Sequence, residues 1–194
     1  KMGVRPCGFT TATESAYWSF AQQTALLLGE APAANISISG IGVYRNYGNA
    51  GPSVTDPSMP FFYSRSLTGD SSSAGASSIP PAMQPTVVIV NLGINDFWNG
   101  PPDQTGFISA YVELFKTIRS RYPSAMLVAA THAGGDQQGY VQAAYQQILN
   151  SGEAKIRYAE FPIRDWSGCS GHPSKAADLE IANYFAQFVR NLGL

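Results

Sequence analysis

Apolar side chains recur at helical spacing in four segments of the chain, with polar residues between them. A capping-box pattern at 11–14 places the start of the first segment near residue 13, and Gly29 closes it. The spacing predicts helices over about 13–29, over 105–123, over about 138–150 and from about 174 onward.

Four short runs between these helices favour β-strands: 33–40, 86–93, 125–132 and 154–161. The run TVVIVNLG (86–93) is apolar at too many consecutive positions to be half exposed, so it is predicted to be central in a parallel sheet. Strands and helices alternate throughout, which predicts a doubly wound α/β fold with helices on both faces of the sheet, in a single domain. The Ser/Gly/Pro-rich stretch 69–85 is predicted to be a loop.

Composition and charge exclude several classes of function. Only 13% of the residues are charged and the net charge is -1, so the chain lacks the electrostatic footprint of a protein that binds nucleic acid or an anionic membrane. No apolar run approaches the roughly 18 residues that a membrane helix needs. The hydrophobic share of 44% in 194 residues is enough for a core of one domain.

Candidate chemistry lies where the predicted strands end, because ligands of such sheets bind beyond the carboxyl ends of the strands. Three places stand out: residues 39–42, residues 93–96, and the loop before the last helix, which holds His172. The chain has only two histidines, so proton transfer near neutral pH has few candidates. The other one, His132, closes a strand, and a structural role is favoured there over lining the rim of the pocket.

Three motifs in this order resemble the SGNH (GDSL-type) hydrolases: SGIG after a strand, NLGIND after an apolar strand, and a His-Pro pair that opens the final helix. Within that group, CGFTTATESAYWSFAQQ, SGIGVYRNYG, MPFFYSRSL and GCSGHPS are most similar to the second carbohydrate-esterase family of O-acetyl esterases. The resemblance runs from about Pro6 to the C-terminus. It implies a three-layer α/β/α sheet with flavodoxin-like strand order, and ester hydrolysis by Ser, Gly, Asn and His.

This resemblance assigns roles to individual residues. The backbone N–H of Gly40 and the side-chain amide of Asn95 match the oxyanion hole, and Gly42 is a less favoured alternative to Gly40. His172 matches the general base.

Further residues are expected to support the site or to bind substrate. Gly93 and Asp96 match positions that hold the loop geometry. Relatives often carry an aromatic residue before the histidine as a sugar-stacking platform, whereas this chain has Gly171; Trp98 or Trp166 is the candidate replacement.

The nucleophile is the first departure from the family pattern. The family's serine lies in a Gly-Asp-Ser motif at the end of the first strand, and KMGVRPCGFTT contains no serine. The resemblance therefore implies that residues 1–194 lack the first strand and nucleophile loop, which we expect on an upstream segment of the same precursor that stays bound after cleavage. Without it, neighbouring strands would bury unpaired backbone groups, each costing roughly 1–3 kcal/mol.

The group that orients the histidine is the second departure. Relatives place Asp two or three residues before the histidine, where this chain has Ser170 and Cys169, and Asp165 is seven residues back. We therefore expect a Ser-His dyad in which a backbone carbonyl accepts a hydrogen bond from Nδ1–H of His172.

Cysteine usage and a glycosylation signal indicate a secreted protein. Cys7 and Cys169 form an even pair and predict one disulfide, although pairing with a cysteine of the upstream segment stays open. Asn35-Ile36-Ser37 is an N-glycosylation sequon. The two histidines and two cysteines lack zinc-site spacing and no nucleotide loop is present, so neither a metal nor a cofactor is expected.

The resulting prediction is a secreted serine esterase that removes acetyl groups from sugar or polysaccharide hydroxyls. The alternative is a catalytically inactive descendant that keeps the pocket to bind carbohydrate or another partner.

Overall fold

The computed structural model describes residues 6–8, 10–30, 33–53, 55–63 and 84–194. The chain groups into two compact units: the terminal unit, Lys1–Ile36 with Phe161–Leu194, and the central unit, Ser37–Glu160. In the described residues, no helix combines the length and the apolar character needed to cross a bilayer. The loop predicted over 69–85 lies outside the described residues except for its last two.

Helices and strands alternate along the chain, which confirms the predicted α/β class. In order, the elements are α1 (Phe20–Leu28), α2 (Met59–Tyr63), β1 (Val87–Asn91), α3 (Gln104–Arg121), β2 (Met126–His132), α4 (Gln138–Asn150), β3 (Ile156–Phe161) and α5 (Lys175–Asn191). Short 3-10 turns occur at Thr11–Thr13, Ile94–Phe97 and Cys169–Gly171.

The described sheet has the strand order β1-β2-β3. Strands β1 and β2 are parallel, with a register that runs from Val87 opposite Met126 to Asn91 opposite Ala130. Strand β2 is the most deeply buried element, since Leu127–Ala130 are fully inaccessible to solvent. In β1 only Val90 is buried, and Asn91 is exposed. The apolar sequence of β1 is typical of a strand buried on both faces. Within the described part of the chain, however, β1 pairs with β2 along one edge and its other edge has no partner strand.

The strand predicted over 33–40 is absent. Residues 33–38 have no regular secondary structure, and Ile41 N–H closes a turn onto the Ile38 carbonyl. Among the described residues, no segment forms a ladder with this stretch. A strand needs a partner for its backbone groups, so the β-favouring composition of this run is not sufficient to form one.

The first helix begins later than the sequence pattern indicated. The capping box actually formed joins Thr10 and Thr13 around a 3-10 turn, and α1 starts after Ser19, whose side chain accepts a hydrogen bond from Gln22 N–H. The predicted end is confirmed, because Gly29 adopts a left-handed conformation (φ 76°) and closes the helix.

Aromatic packing forms the core of each unit. In the terminal unit, α1 packs on α5, and Phe20 stacks on Phe185 with ring centroids 5.5 Å apart. In the central unit, α3 presents a buried row in which Phe107 stacks on Tyr111 at 5.8 Å and Tyr111 on Phe115 at 5.3 Å. These rows follow the helical spacing read from the sequence.

Arg119 joins the end of α3 to the start of two strands in the central unit. Its Nε donates to Glu153 at 2.6 Å, and its terminal nitrogens donate to several backbone carbonyls, including those of Ala125 at 2.9 Å and Lys155 at 3.1 Å. The side chain is only 22% exposed. These charge-assisted hydrogen bonds tie the end of α3 to the residues that precede β2 and β3.

We expect Arg119→Ala to lower the free energy of unfolding by about 2–3 kcal/mol, because several charge-assisted hydrogen bonds disappear together. Urea denaturation followed by circular dichroism measures the change. Lys116→Ala is the matched control: its ion pair with Glu113 is about two-thirds exposed on both sides, so an effect below about 0.5 kcal/mol is expected. Equal losses in the two variants would contradict the assignment.

Candidate active site

The predicted site residues fall into two groups, one in each unit. Gly40, Gly93, Asn95, Asp96 and Trp98 belong to the central unit, whereas Cys7, Asn35, Trp166, Cys169 and His172 belong to the terminal unit.

Gly40 lies in a tight turn of the central unit. Its φ of 77° is in the left-handed region, and its carbonyl accepts a hydrogen bond from Tyr47 N–H at 2.8 Å. No described residue accepts a hydrogen bond from the Gly40 N–H. This donor is therefore available to a ligand atom.

Gly42 has a different role from Gly40. Its N–H donates to Asn46 Oδ1 at 3.1 Å, so this donor is already engaged. A Cβ at this position would collide with the Arg45 carbonyl and lie 2.5 Å from a carboxylate oxygen of Asp96. Gly42 therefore allows two loops to approach each other, and its N–H is engaged within the protein, unlike that of Gly40.

Asn95 follows β1 in the 3-10 turn Ile94–Phe97. Gly93 precedes this turn with a φ of 118°, a conformation that glycine adopts without strain. The side-chain Nδ2 of Asn95 donates one hydrogen to the Ile41 carbonyl at 2.9 Å. Because an amide nitrogen carries two hydrogens, this bond fixes the side chain beside the Gly40 turn and leaves the second hydrogen for a ligand.

Asp96 is fully buried and binds three consecutive backbone N–H groups. Its carboxylate accepts from Val43 at 2.9 Å, from Tyr44 at 2.8 Å and from Arg45 at 2.9 Å. Burial raises the pKa of Asp96, and the three N–H donors oppose that shift by stabilising the charged form. The residue thus fastens the turn after Gly40 to the turn that carries Asn95.

The guanidinium of Arg45 completes this network. Its Nε donates to the Asp96 carbonyl at 2.6 Å, and its two terminal nitrogens donate to the carbonyls of Ala50 at 3.1 Å and Gly100 at 2.7 Å. Arg45 is only 8% exposed. The charged side chain therefore satisfies loop carbonyls that have no strand neighbours.

Two exposed aromatic rings lie next to these loops. Tyr47 is 66% exposed and Trp98 is 39% exposed, and their ring centroids are 5.4 Å apart. The indole Nε1 of Trp98 donates to the Asn49 carbonyl at 3.0 Å, which fixes the orientation of the ring. An exposed and oriented aromatic pair of this kind presents a surface for apolar faces of a ligand.

His132 closes β2 and is held by a buried amide. Gln137, which is 2% exposed, donates through Nε2 to Thr131 Oγ1 and to His132 Nδ1, both at 3.0 Å. Since the amide nitrogen only donates, Nδ1 accepts and the ring proton resides on Nε2. Gln137 also packs 3.3 Å from the position that a Cβ on Gly93 would occupy, so this cluster supports the Asn95 turn.

His172 lies in the loop before α5, in the terminal unit. Its Nδ1 is 3.1 Å from the Cys169 carbonyl. A carbonyl accepts only, so this contact requires the proton on Nδ1 and leaves the lone pair on Nε2. This is the arrangement that the absence of an upstream carboxylate led us to expect, and it is the tautomer that a general base needs.

Cys7 and Cys169 form a disulfide with Cα atoms 4.9 Å apart, as predicted. Asp165 is used elsewhere: its carboxylate accepts from Ser167 N–H at 2.8 Å, and its pKa is lowered chiefly by a hydrogen bond with the Ser174 side chain. Asp165 therefore shapes the start of α5.

The remaining candidates in the terminal unit lie at the surface. Trp166 is 36% exposed in the loop between β3 and α5, and Asn35 is exposed. Within the described ranges, no cluster of three or more His, Cys, Asp or Glu side chains is suited to hold a metal ion.

Sequence comparisons place this geometry among known proteins. No family model matches the chain. The chain is 33% identical over 196 residues to the cellulase/esterase CelE of Acetivibrio thermocellus, and 24% identical over 185 residues to an acetylxylan esterase/glucomannan deacetylase of Cellvibrio japonicus. These alignments cover 94% and 91% of this chain but 22% and 49% of the two relatives. The chain thus spans between about a fifth and a half of the length of these relatives.

Solved structures agree with the sequence comparison. A family two carbohydrate esterase from Clostridium thermocellum in complex with cellohexaose matches with a TM-score of 0.84 at 32% identity, over 96% of this chain and 57% of that one. A family two enzyme with a carbohydrate-binding domain from Myceliophthora fergusii has a TM-score of 0.84 at 26% identity, over 99% of this chain and 62% of that one. By sequence and by fold, this chain is similar to the family two carbohydrate esterases.

These similarities confirm the resemblance read from the motifs. A GDSL-like lipase from Bacteroides ovatus, at 18% identity and a TM-score of 0.62, shares the fold alone. The SGNH-type α/β fold of the family two esterases is therefore the fold of this chain.

Sequence reasoning missed four residues that build the loops of the candidate site: Arg45, Asn46, Tyr47 and Gln137. The run YRNYG belongs to one of the motifs that resemble the family, but a buried arginine has no local signature in a sequence. The nearest sequence signal was the glycine pair Gly40 and Gly42. Such a pair indicates that another backbone segment lies close to these glycines, but it does not identify that segment.

We expect Asp96→Asn to lower the free energy of unfolding by about 2–4 kcal/mol, because an amide has one acceptor oxygen and its NH₂ group faces backbone donors. Thermal and urea denaturation measure the loss. Asp56→Asn, at an exposed carboxylate that accepts from Asn49, is the control with an expected change below about 0.5 kcal/mol. A stable Asp96→Asn protein would mean that the three N–H contacts contribute little.

His132 should contribute a measurable pH dependence. Burial lowers its pKa below 6.5, against a smaller raising effect of Asp136. The unfolded chain therefore takes up the proton first, so stability is lost as pH falls from about 6.5 toward the folded pKa. NMR titration of the two histidines should show His132 titrating below its unfolded value, and His132→Gln should remove this part of the pH dependence. A normal or raised pKa would refute the expectation.

Proposed function

We propose that this chain supplies the base and the oxyanion hole of a secreted serine esterase that removes acetyl groups from carbohydrates. The observation that carries the proposal is the pair of donors in the central unit, the Gly40 N–H and the second hydrogen of Asn95. Two fixed donors beside each other are what a tetrahedral intermediate of acyl transfer requires.

His172 is proposed as the general base. With its proton on Nδ1, Nε2 can accept the proton of a serine hydroxyl as the serine oxygen attacks the acetyl carbonyl. The same Nε2–H then protonates the departing sugar oxygen. Water repeats the two steps and releases acetate. A neutral carbonyl stabilises the imidazolium less than a carboxylate does. The proposed catalytic group is therefore a Ser-His dyad, without the carboxylate of a full triad.

The serine is proposed to come from a polypeptide segment outside these 194 residues that also adds a strand to the sheet. Support comes from the free edge of β1 and from the β-favouring run 33–38, which lacks a ladder within the described residues. A further strand would supply hydrogen-bond partners to the free edge of β1. With it, residues 1–194 would act as one SGNH-hydrolase domain.

The proposed substrate is an acetylated sugar or polysaccharide. Relatives include an acetylxylan esterase/glucomannan deacetylase and an esterase bound to cellohexaose. In this chain the exposed Tyr47–Trp98 pair is the best-supported surface for stacking a sugar ring, and Trp166 is a second candidate in the terminal unit. The disulfide and the exposed Asn35 sequon support secretion.

A second function is favoured by the same aromatic pair. A chain with no serine supplied to it would keep an oriented Tyr47–Trp98 surface and could bind carbohydrate without hydrolysis. The two functions differ in turnover, so activity separates them.

The first experiment is an intact mass of the native protein with and without reduction, followed by hydrolysis of p-nitrophenyl acetate. A companion peptide carrying Gly-Asp-Ser and measurable turnover are the expected results.

His172→Ala should lower kcat by at least about 10³-fold, since base and nucleophile act as a unit. Asn95→Ala should lower kcat by about 10²-fold with little change in KM, because its hydrogen bond forms in the transition state.

Asn183→Ala is the control for Asn95→Ala, because this asparagine is exposed on α5 and its side-chain amide donates to the Leu179 carbonyl of its own helix. It should keep full activity. Equal rates for the wild type and His172→Ala would reject the esterase, and binding of cello-oligosaccharides without turnover would support the alternative.

A further inference from the structure

We propose that the Cys7–Cys169 disulfide is a positioning device for His172: it holds the backbone carbonyl that sets the histidine tautomer, in place of the absent carboxylate. The effect on the tautomer is independent of catalysis. Its effect on turnover rests on the proposed esterase function.

The contacts of Cys169 lead to this inference. The Cys169 carbonyl lies 3.1 Å from His172 Nδ1 and also accepts from the His172 backbone N–H at 3.3 Å. One carbonyl thus holds both the ring and the backbone of His172. The side chain of the same residue is fully buried in the disulfide. The direction of this carbonyl depends on where the bond to Cys7 holds the Cys169 backbone.

A second contact ties the N-terminal segment to the same loop. The Ser170 backbone N–H donates to the Cys7 carbonyl at 3.1 Å. Cys7 therefore holds the loop twice, through its side chain at Cys169 and through its carbonyl at the next residue. Its partner lies 162 positions away in sequence, so the sequence of the loop alone does not supply this restraint.

The loop has a backbone conformation that needs such a restraint. Ser170 has a φ of 55° and is the only residue other than glycine in the left-handed region among those described, and Gly171 follows with a φ of 73°. A non-glycine residue keeps this conformation where the surroundings over-determine it. Gly168 adds to the restraint, since a Cβ there would lie 2.5 Å from the Pro173 carbonyl oxygen. We infer that the disulfide is the element that prevents relaxation of Ser170 and rotation of the Cys169 carbonyl.

Charged groups near His172 must be separated from this effect. Asp178, in the first turn of α5, interacts electrostatically with His172, which lowers the Asp178 pKa, although burial, the larger effect, raises it. Lys175 begins α5 and lies over the Trp18 ring, 3.1 Å from its centroid. Of these two, Asp178 is the one that interacts with His172, and it does so through charge, whereas a carbonyl hydrogen bond decides which ring nitrogen carries the proton.

The test is the tautomer of His172, read from long-range proton–nitrogen NMR spectra of the native protein and the Cys7→Ala/Cys169→Ala variant. With only two histidines, His132→Gln assigns both signals. In the wild type, His172 should be the Nδ1–H form and His132 the Nε2–H form. In the double variant, the His172 signal should shift toward the Nε2–H form while His132 stays unchanged as the internal reference.

Activity provides the second readout. The double variant should lose about 10- to 100-fold in kcat with KM changed less than about threefold, because the base is misplaced while substrate contacts remain. Its pH profile should shift together with the loss. Asp178→Asn should shift the profile while the Nδ1–H form is kept, which separates charge from tautomer.

Thr13→Ala is the matched control, because Thr13 Oγ1 lies 2.8 Å from the Thr10 carbonyl and 3.2 Å from the Gly8 carbonyl, so this change loosens the same segment while leaving the disulfide intact. It should keep the wild-type tautomer. Cys7→Ala alone is the milder second variant and should resemble the double variant. An unchanged His172 tautomer in folded variants overturns the proposal. Loss of the far-UV circular dichroism signal in both cysteine variants also overturns it, because the disulfide would then stabilise the whole fold and would not act specifically on His172. A wild type without esterase activity would reject the proposed function only, since the tautomer measurement stands without turnover.

Discussion

The carboxylate of Asp96 is the constraint on which the central unit's candidate loops depend. It accepts hydrogen bonds from three consecutive N–H groups in a site closed to solvent. An ionised carboxylate suits this place because both oxygens accept and neither carries a proton. One buried charge therefore fixes the turn after Gly40 against the turn that carries Asn95. Rigid placement of two donors is the condition for stabilising an oxyanion without reorganisation.

In the loop that carries His172, the orienting group is a main-chain atom. In place of a side-chain carboxylate, a backbone carbonyl holds Nδ1, and a covalent bond to Cys7 holds the residue that owns this carbonyl. A carbonyl has no conformational freedom of its own beyond that of its backbone. How well this carbonyl orients His172 therefore depends on how rigidly the loop is held. A carboxylate on a helix or strand would not need that restraint from the loop.

Most elements followed from local pattern, and the misses have a common cause. Helices α3 and α4 and strands β1 to β3 match their predicted ranges within two residues, because their apolar periodicity also describes the buried face. The run 33–40 carried a comparable strand signal and formed none, since pairing depends on a distant neighbour. The start of α1 was missed because Thr11 and Ser19 are both acceptable helix starts by sequence, and packing selects between them.

The sequence by itself determined the α/β class, the similarity to the family two carbohydrate esterases, and the residue types at the candidate site, because periodicity and short motifs are local properties of the chain. Only the tertiary structure decided which backbone groups those residues meet. The three donors to Asp96, the acceptor for Asn95 and the carbonyl on His172 are main-chain atoms, which every residue possesses and no sequence pattern marks. Contacts to such atoms arise from the path of the folded backbone, and that path is set by packing between segments far apart in sequence.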